Sequence, residues 1–482
     1  MSATASVAGV AVSPDHYIGG ERISSSATFE DVSPIDESHL ADIARGGADE
    51  VEAAVQAARH AFPAWAALGP EGRGEHLFRI ADLIEERTET LAQVETLDNG
   101  SLLEASQLRL MKRAATNFRF FAELAIERDR RSWESNGTAY RVRHDPSGVA
   151  ALITPWNAPF MLETWKCGPA LAAGCTVVLK PAEWAPLTAS LLGEIADDAG
   201  LPAGVLNVVQ GLGEEAGAAL VTHPGIARIS FTGSVETAQL IGQAAARNLT
   251  PVSFELGGKS PFLVFPDADL DAAVETATYQ YDNAGQVCLA GTRLLIEESI
   301  ADEFLEGFLA GVAQRKLGDP RDPETDIGPL ITHEHLARVE GFVQRAIDDG
   351  ARLVIGGRVS PDLGSLYYEP TLFTHVRQDL EIVQREVFGP VLTLQTFGDE
   401  DEAVELANGT EYGLAATAFT RDDDRGERLG EALVAGTTWI NCFYARDLGA
   451  PFGGAKRSGI GREGGEWSFD FYADVKTVAR RT

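Results

Sequence analysis

The sequence predicts an α/β fold with two lobes, and three observations support this prediction. From Gly148 onwards, short apolar runs alternate with amphipathic segments, which is typical of buried parallel strands joined by covering helices. A second series of the same kind begins near Pro261. The chain has 482 residues, of which 44% are apolar and 23% charged, so it can form about three domain-sized units.

Helices dominate the first part of the predicted fold. Residues 1–30 are polar and lack periodicity, so an irregular segment is expected there. Apolar residues recur at helical spacing over residues 49–68, 70–97 and 104–127, which predicts three amphipathic helices. Asp98-Asn-Gly100 supplies the turn chemistry that ends the second helix.

A β-hairpin is predicted after these helices. Ser135-Asn-Gly137 is a typical hairpin turn, and the alternation over residues 138–142 is typical of a strand. Because a lone hairpin is marginally stable in water, it is expected to dock on another element, and a second subunit is one candidate.

The alternation of strands and helices in the first lobe predicts where a ligand binds. Its predicted strands are 149–153, 175–179, 205–209 and 228–231, and its predicted helices are 162–173, 186–199, 214–221 and 235–246. The predicted strands of the second lobe include 262–265, 294–296, 352–355, 391–397 and 438–440. Parallel sheets bind ligands at the carboxyl ends of their strands, so the residues that follow each strand are the first candidates.

Charge and composition exclude several classes of protein. The net charge is −32, from 40 basic and 72 acidic residues, which disfavours binding to nucleic acid or to anionic membranes. The four cysteines show no CxxC spacing, so neither a metal site nor a disulfide framework is predicted. Residues 1–12 lack a basic leader, and no run of 18 apolar residues occurs, so a cytoplasmic location without a membrane span is expected.

Residues 283–293 contain a candidate nucleophile, Cys288. This stretch lies between a predicted helix at 270–281 and the predicted strand at 294–296. Gly285 and Gly291 flank the thiol and allow unusual dihedral angles and close backbone approach. A thiol at such a junction can face a cleft, and its own backbone N–H can act as an oxyanion donor. Taken alone, the segment fits a buried core cysteine better, because free cysteine is among the most buried residue types.

The ends of the predicted strands carry residues suited to a dinucleotide. Lys180 and Glu183 follow the second strand and suit the two hydroxyls of an adenosine ribose. A carboxylate there disfavours a 2′-phosphate, which favours NAD over NADP. The glycines at 211, 213 and 217 have the spacing G-x-G-x-x-x-G, which is one residue longer than the usual dinucleotide-binding motif. Alone, they are therefore weak evidence for a dinucleotide site. Gly233-Ser234 can hold a phosphate at a helix N-terminus, or Ser234 is a plain N-cap.

In their order and spacing, seven segments of the chain resemble the aldehyde dehydrogenase superfamily over nearly its full length. The segments are Pro155-Trp-Asn157, Leu179-Lys-Pro-Ala-Glu183, Phe231-Thr-Gly-Ser234, Glu255-Leu-Gly-Gly-Lys259, Gly285-Gln-Val-Cys288, Glu386-Val-Phe-Gly-Pro390 and Pro451-Phe-Gly-Gly454. The resemblance implies an aldehyde dehydrogenase-like α/β fold with a Rossmann-like coenzyme domain, an α/β catalytic domain and a β-hairpin oligomerisation element. The implied boundaries are 1–127 and 147–257 for the NAD-binding domain, 258–456 for the catalytic domain, and 128–146 and 457–482 for the oligomerisation element.

The resemblance also implies an activity, which is the NAD-dependent oxidation of an aldehyde by a homodimer or homotetramer. The implied catalytic residues are Cys288 as nucleophile, Asn157 as oxyanion donor and Glu255 as general base. Glu386 matches the residue that holds the nicotinamide ribose, and Phe388 matches the residue that flanks the ring. The implied coenzyme-binding residues are Ile153, Thr154, Pro155, Trp156, Lys180, Glu183, Gly213, Gly217, Phe231, Thr232, Gly233, Ser234, Leu256, Gly257, Glu386 and Phe388. One departure is Ala238, where the family often has a glycine.

Three further residues match positions of subsidiary lysine or carboxylate groups in the family and keep two interpretations. Lys166, Glu463 and Asp474 fit either a proton relay or ordinary salt bridges. Two other function classes also remain, a CoA-acylating relative and a non-catalytic protein of this fold. The retention of Glu255 favours water as the acyl acceptor over CoA. The cysteines at 167, 175 and 442 are assigned to packing.

The C-terminal tail, residues 446–465, resembles the branch of the family that acts on hydroxymuconic-type semialdehydes. Such substrates carry a carboxylate remote from the aldehyde, and a buried carboxylate needs a cation such as a bidentate arginine. Arg113 and Arg446 are the candidates for this role, although single arginines are more often surface residues. The branch often has a second arginine at the position of Gly449, so an aromatic or aliphatic aldehyde is the alternative substrate.

Overall fold

The computed structural model describes residues 4–128 and 131–482, and the side chains of residues 105–108 are not among those described. The helices are α1 (Ala48–Ala67), α2 (Gly69–Glu86), α3 (Thr88–Asn99), α4 (Leu103–Ala105), α5 (Lys112–Glu127), α6 (Pro159–Ala173), α7 (Leu187–Asp198), α8 (Ala218–Thr222), α9 (Val235–Ala246), α10 (Leu270–Thr278), α11 (Ala301–Val312), α12 (His333–Asp348), α13 (Glu381–Gln384), α14 (Glu400–Asn408), α15 (Asp423–Ala432) and α16 (Gly465–Tyr472). Turns of π-helix lie at Ser106–Met111 and Gly213–Gly217, and 3₁₀ turns lie at Tyr279–Gly285, Glu298–Ile300 and Lys456–Ser458.

The strands alternate with these helices along the chain. They are β1 (Ala5–Val7), β2 (Val10–Val12), β3 (His16–Ile18), β4 (Glu21–Ile23), β5 (Thr28–Val32), β6 (His39–Ala44), β7 (Ser132–Ser135), β8 (Thr138–Pro146), β9 (Val149–Ile153), β10 (Thr176–Lys180), β11 (Leu206–Val208), β12 (Ile226–Gly233), β13 (Val252–Leu256), β14 (Pro261–Val264), β15 (Arg293–Glu297), β16 (Arg352–Ile355), β17 (Thr371–Thr374), β18 (Val391–Phe397), β19 (Ala415–Phe419), β20 (Thr437–Ile440), β21 (Gly459–Ile460) and β22 (Ala473–Arg481).

The first lobe is built on an eight-stranded sheet in the order β21-β13-β12-β9-β10-β11-β3-β4. The five central strands, from β13 to β11 in this order, are parallel to one another. Strand β21 pairs antiparallel with β13 at one end of this group, and β3 pairs antiparallel with β11 at the other end. Strands β9 and β10 are buried at every residue, because helices cover both faces of the sheet. The chain proceeds from β9 through β10 to β11 on one side and then returns to β12 on the other, so the strand order reverses between β9 and β12.

The second lobe is built on a seven-stranded sheet in the order β16-β17-β18-β15-β14-β19-β20. All of its neighbouring strands are parallel except the edge pair β16 and β17. The prediction of two α/β lobes is therefore confirmed.

The predicted hairpin is present, and it docks on the chain's own C-terminal strand. Strands β7 and β8 meet at a tight turn in which Asn136 and Gly137 have φ values of 50° and 66°. Two left-handed residues match the twist of the flanking strands, which is why Asn-Gly is favoured there. The other edge of β8 pairs with β22 from Ala473 to Arg481. The edge strand β21, from the tail assigned to the oligomerisation element, pairs instead with β13 of the first lobe, and the domain boundaries stay a prediction.

Two predictions for the N-terminal part are wrong. The segment 1–30 is not irregular in its described residues, since β1 to β4 and the start of β5 lie there. These strands are too short to show alternation, and β3 is held by β11, about 190 residues away, through the pair Tyr17 and Val208. The second predicted helix is two helices, α2 and α3, which break at Arg87 (φ −105°, ψ 15°). Thr88 bonds its hydroxyl to the carbonyls of Ile84 and Glu85, and such local bonds compete with the helical pattern.

The third predicted helix is also interrupted, by the π-helical turn before α5. Among the described residues, no helix is both long and apolar enough to cross a membrane. In the same part of the chain, no group of three or more His, Cys, Asp or Glu side chains is arranged to hold a metal ion.

Candidate active site

The strand reversal of the first lobe brings the predicted strand-end residues together. Ile153 at the end of β9 lies in register with Lys180 on β10 and with Phe231 on β12. On the next strand, Glu255 lies in register with Thr232. The carboxyl ends of parallel strands at a reversal of strand order form the crevice where open α/β sheets bind ligands.

Asn157 and the Cys288 loop are tied together by reciprocal hydrogen bonds. The Asn157 side-chain Nδ2 donates to the carbonyl oxygen of Gln286 at 3.0 Å. In return, Asn283 Nδ2 donates to the Asn157 carbonyl oxygen at 3.1 Å. Since Nδ2 has two hydrogens, Asn157 keeps one donor for another acceptor. The structure thus places the predicted oxyanion donor beside the predicted nucleophile.

The backbone before Cys288 follows an unusual left-handed path. Asn283, Ala284 and Gly285 have φ values of 51°, 54° and 70° in succession. A Cβ on Gly285 would lie 2.1 Å from the carbonyl oxygen of Gly389, so only glycine fits that position. The nucleophile loop therefore lies in close contact with the segment that carries Phe388. Strain of this kind clusters at active sites, where the surrounding structure holds it.

The Cys288 thiol lies half-buried against an apolar cluster that includes Leu289, Trp439 and Phe452. Burial, followed by the negative charge of Glu386, raises the pKa of the thiol to about 12. The positive charge of Arg446 lowers it in part. In this state the thiol is protonated at neutral pH, and it needs a base or added positive charge to become a nucleophile.

Glu255 is buried at the end of β13, and among the described residues neither of its carboxylate oxygens has a hydrogen-bond partner. Burial, then the charge of Glu463, raises the pKa of Glu255 well above its usual value. A Cβ on Gly453 would lie 2.7 Å from Glu255 Oε1, so that glycine leaves room for the carboxyl group. A buried carboxyl with a raised pKa is suited to general-base catalysis.

Lys166 and Glu463 form a buried ion pair with an Nζ to Oε1 distance of 2.8 Å. Ser230 bonds to both partners, and Trp165 Nε1 donates to the second oxygen of Glu463 at 2.6 Å. The closeness of this pair to Glu255 is compatible with a proton relay. The pair is also compatible with a salt bridge that only stabilises the fold. Asp474, by contrast, is exposed and pairs with Arg228, which favours the salt-bridge interpretation.

A cradle at the ends of β10 and β11 fits an adenosine ribose. Lys180 is buried and bonds through Nζ to Glu183 at 3.3 Å. Burial lowers the pKa of Lys180. Cβ atoms on Gly213 and Gly217 would meet Glu183 and Lys180 at 3.9 Å and 3.5 Å, so these glycines leave the two side chains uncovered. Near them, the buried hydroxyl of Thr154 has no hydrogen-bond partner among the described residues.

The remaining predicted coenzyme residues line the same edge. Thr232 and Gly233 end β12, and Ser234 caps α9 by accepting the Thr237 N–H at 3.1 Å. The N-cap interpretation of Ser234 thus holds, and a phosphate contact stays a prediction. Pro155 and Trp156 follow β9, and the Trp156 ring meets the Phe388 ring edge-on at 5.4 Å.

Glu386 reaches the end of β13 from the other lobe. Its Oε1 accepts the Gly258 N–H at 3.0 Å, and a Cβ on Gly257 would overlap its Oε2 at 1.8 Å. Burial raises the pKa of Glu386 to about 7. Leu256 ends β13 just before these glycines. The two lobes therefore meet where Glu386 contacts Gly257 and Gly258.

Arg113 and Arg446 both pack against Trp165, with guanidinium carbons 5.4 Å and 5.5 Å from its ring centre. Arg446 also stacks on Phe452 at 3.8 Å. Within the described part of the chain, neither guanidinium has a hydrogen-bond or ion-pair partner, whereas Arg109 nearby is bonded to Asp282. Burial, then the like charge of Arg446, lowers the pKa of Arg113 to about 10.

Sequence reasoning missed the residues that connect these parts. Gln286 bonds through its side chain to Asn283, Pro329 and Ile331, so it anchors the nucleophile loop to the second lobe. Asparagine tolerates the left-handed conformation, so Asn283, two residues before Gly285, was a local sign of the unusual turn. No local sequence pattern predicts a role for Trp165, because that role depends on two arginines that are distant in sequence.

Comparison with known proteins assigns the family. A family model described as "Aldehyde dehydrogenase family" matches residues 22–478. The chain is 43% identical over 479 residues to a 2-hydroxymuconic semialdehyde dehydrogenase of Pseudomonas sp. (strain CF600), covering 96% of this chain and 98% of that protein. It is 39% identical to the 2-aminomuconic semialdehyde dehydrogenase of Homo sapiens, covering 96% of this chain and 97% of that protein.

Solved structures agree in fold. A crystal structure of betaine aldehyde dehydrogenase from Staphylococcus aureus in complex with NAD⁺ superposes with a TM-score of 0.95 and 39% identity, covering 98% of this chain and 95% of that chain. An indole-3-acetaldehyde dehydrogenase complexed with NAD⁺ has a TM-score of 0.96 and 38% identity, with 98% of both chains covered. Together with the family match over nearly the whole sequence, these similarities establish that the chain belongs to the aldehyde dehydrogenase family.

Proposed function

We propose that this aldehyde dehydrogenase uses NAD to oxidise a semialdehyde that carries a remote carboxylate, and that water is the acyl acceptor. The observation that carries the substrate proposal is the pair of arginines on Trp165, neither of which has a hydrogen-bond or ion-pair partner among the described residues. The observation that supports the chemistry is the junction of Asn157, Cys288 and Glu255 between the two lobes.

Cys288 and Asn157 carry the first step of the proposed mechanism. The Cys288 thiolate attacks the aldehyde carbon, and the carbonyl oxygen becomes the oxyanion of a thiohemiacetal. The free hydrogen of Asn157 Nδ2 and the Cys288 backbone N–H donate to that oxygen. The hydrogen bond to Gln286 holds the Asn157 amide before charge develops, so little reorganisation is needed.

Glu255 carries the last step. When bound, NAD would accept the hydride that the thiohemiacetal loses as it becomes a thioester. Glu255 then takes a proton from a water molecule, the hydroxide attacks the thioester carbon, and the Cys288 thiolate leaves as the carboxylic acid forms. The raised pKa of Glu255 makes it a stronger base than an exposed carboxylate once it has lost its proton.

The chain's own residues suit NAD at the strand ends. Lys180 and Glu183 would hold the two hydroxyls of the adenosine ribose, and the unpartnered Thr154 hydroxyl supplies a further polar contact. Glu386 would hold the nicotinamide ribose, with Phe388 beside the ring. The structural relatives named above were solved with NAD⁺, which supports the same coenzyme here.

Replacing Glu183 with serine is expected to shift coenzyme use towards NADP. The carboxylate repels a 2′-phosphate, so its loss should raise the ratio of kcat/KM for NADP over NAD by at least about tenfold, or about 1.4 kcal/mol. The matched control is Glu215→Ser, because Glu215 lies in the neighbouring turn Gly213–Gly217 but already pairs with Arg45. An unchanged coenzyme ratio in Glu183→Ser would count against the ribose role.

The two arginines favour an anionic substrate on physical grounds. Two like charges are held against one indole ring. Burial, then repulsion from Arg446, lowers the pKa of Arg113, and the negative charge of Asp447 opposes this shift. A substrate carboxylate between them would relieve this repulsion and accept charge-assisted hydrogen bonds. The semialdehyde dehydrogenases among the relatives act, by their names, on muconate-type semialdehydes, which supports the same substrate class.

Substrate pairs of equal length, with and without a remote carboxylate, test this proposal. We expect the wild type to favour the carboxylated aldehyde in kcat/KM, and Arg113→Ala and Arg446→Ala each to lose roughly 2–5 kcal/mol of that preference. Arg119→Ala is the control, since Arg119 lies on the same helix as Arg113 but pairs with Asp82 and Glu85. Equal kcat/KM for both substrates in the wild type would end the proposal.

An aromatic or aliphatic aldehyde is the second candidate, and two observations favour it. Gly449 lies beside Phe120 without the additional arginine of the muconate branch, and Phe443 and Tyr444 lie edge-on near Cys288. The same substrate panel separates the two candidates. Repeating it with CoA tests the acylating alternative, which predicts an acyl-CoA product.

We also propose a homodimer or homotetramer located in the cytoplasm. The three-stranded sheet supports the oligomer, because β22 pairs only with β8 among the described strands and leaves Val475 and Val478 exposed. All four cysteines are free thiols, which fits a reducing compartment. In this proposal the sheet of β7, β8 and β22 is the oligomerisation element, beside NAD-binding and catalytic domains with the boundaries given above.

A further inference from the structure

Helix α3 makes two hydrogen bonds to the loop that carries Asn157. On this helix, Asn99 Nδ2 donates to the carbonyl oxygen of Trp156 at 3.3 Å. One turn earlier, Glu95 Oε2 accepts the N–H of Phe160 at 2.9 Å. The two bonds fix the backbone on both sides of Asn157, one residue before it and three residues after it.

Both side chains are buried where they make these bonds, and Glu95 Oε1 has no hydrogen-bond partner among the described residues. Glu95 and Asn99 are 0% and 2% exposed. Asn99 Oδ1 accepts the Ser101 N–H at 2.9 Å, which fixes the orientation of its amide. The Glu95 carboxyl faces the N-terminus of α6, where peptide N–H groups and the helix dipole favour a negative group. Burial raises the pKa of Glu95 to about 7.

Asn157 itself is bound to the nucleophile loop. Its side chain donates to Gln286, and its carbonyl oxygen accepts from Asn283. The direction of the remaining Nδ2 hydrogen therefore depends on the backbone position that α3 fixes. A displacement of about 1 Å at a catalytic group can cost about 100-fold in rate.

We infer that Glu95 and Asn99 are positioning residues that hold Asn157 where it donates to the oxyanion. The inference rests on the proposed oxyanion role of Asn157. Neither residue touches the reacting atoms, and each acts through the backbone next to Asn157. Disrupting either bond should slow formation of the thiohemiacetal and leave the reactivity of the thiol itself unchanged.

The test uses the full chain with NAD and a simple aliphatic aldehyde, and it measures the burst of NADH per active site. We expect Glu95→Leu and Asn99→Ala to slow the burst by about tenfold or more. Alkylation of Cys288 by iodoacetamide should proceed at the wild-type rate, because it forms no oxyanion. Glu95→Gln should stay close to wild type, since its amide oxygen can still accept the Phe160 N–H.

Glu163→Leu is the matched control. Glu163 is also a fully buried carboxyl, it lies on α6, and burial raises its pKa well above the usual value. Among the described residues, however, neither of its oxygens has a hydrogen-bond partner. This variant should keep the wild-type burst, and thermal unfolding of all variants shows whether each is folded. If Glu95→Leu does not fold, the burst of Asn99→Ala alone tests the inference.

Three results would overturn the inference. They are wild-type bursts in Glu95→Leu and Asn99→Ala, an equal loss in Glu163→Leu, and a parallel loss of iodoacetamide reactivity. A wild-type burst in Asn157→Ala would instead contradict the proposed oxyanion role itself. A slow burst in Asn157→Ala with normal bursts in the α3 variants would reject only the positioning role.

Discussion

Replacing Cys288 with alanine is expected to abolish NADH formation and leave NAD binding intact. Without the thiolate, no thiohemiacetal forms and the aldehyde hydrogen has no activated carbon from which to leave as hydride. Loss of a nucleophile typically costs roughly 10⁴-fold or more in kcat. The rate is read from NADH absorbance, and the dissociation constant of NAD is read from calorimetry.

The matched control for this prediction is Cys442→Ala. Cys442 is an exposed thiol, and it does not belong to the apolar cluster around Cys288. Its variant should turn over like the wild type and should still lose activity on alkylation. Substantial turnover in Cys288→Ala, or activity loss only in Cys442→Ala, would refute the assignment of the nucleophile.

Replacing Glu255 with glutamine should arrest the enzyme as a thioester. Acylation needs Cys288 and Asn157, whereas hydrolysis needs a base for water, so the acyl group should accumulate on Cys288. We expect the steady-state rate to fall by about 10²–10⁴-fold while one burst of NADH per active site remains. Mass spectrometry of the quenched protein detects the acyl adduct on the peptide that contains Cys288.

The pH dependence of this step follows from the burial of Glu255. Its pKa is raised well above the usual value, so the basic form grows as the pH rises through that raised pKa. Deacylation in the wild type should therefore accelerate with rising pH. In Glu255→Gln, the deacylation rate should no longer rise in this way. An unmodified protein with normal turnover would show that Glu255 is not the base.

The balance of charges around Cys288 explains why coenzyme and substrate matter for its activation. In the described residues, burial and two carboxyl groups raise the pKa of the thiol, and Arg446 opposes them. The same arginine is the proposed partner of the substrate carboxylate. A carboxylated substrate bound there would remove part of the field that favours the thiolate, so substrate pairs should be compared through kcat/KM ratios.

The sequence by itself determined the α/β class, the two lobes and the family. Buried parallel strands read as continuous apolar runs, and helices read as a period of 3.6 residues, so local patterns carry this information. The order of short motifs around Asn157, Glu255 and Cys288 identified the aldehyde dehydrogenase family, which the match over residues 22–478 confirms. The Asn-Gly hairpin was equally local and was predicted correctly.

Only the tertiary structure decided how these parts meet. Helix α3 shows no local sign that Glu95 and Asn99 bond the loop of Asn157, because the partners lie about 60 residues away. The strands of the N-terminal segment are too short to show a period, and they exist because distant strands such as β11 pair with them. Arg113 and Arg446 meet on one indole ring only after folding, since their approach to Trp165 and their burial are properties of three-dimensional packing.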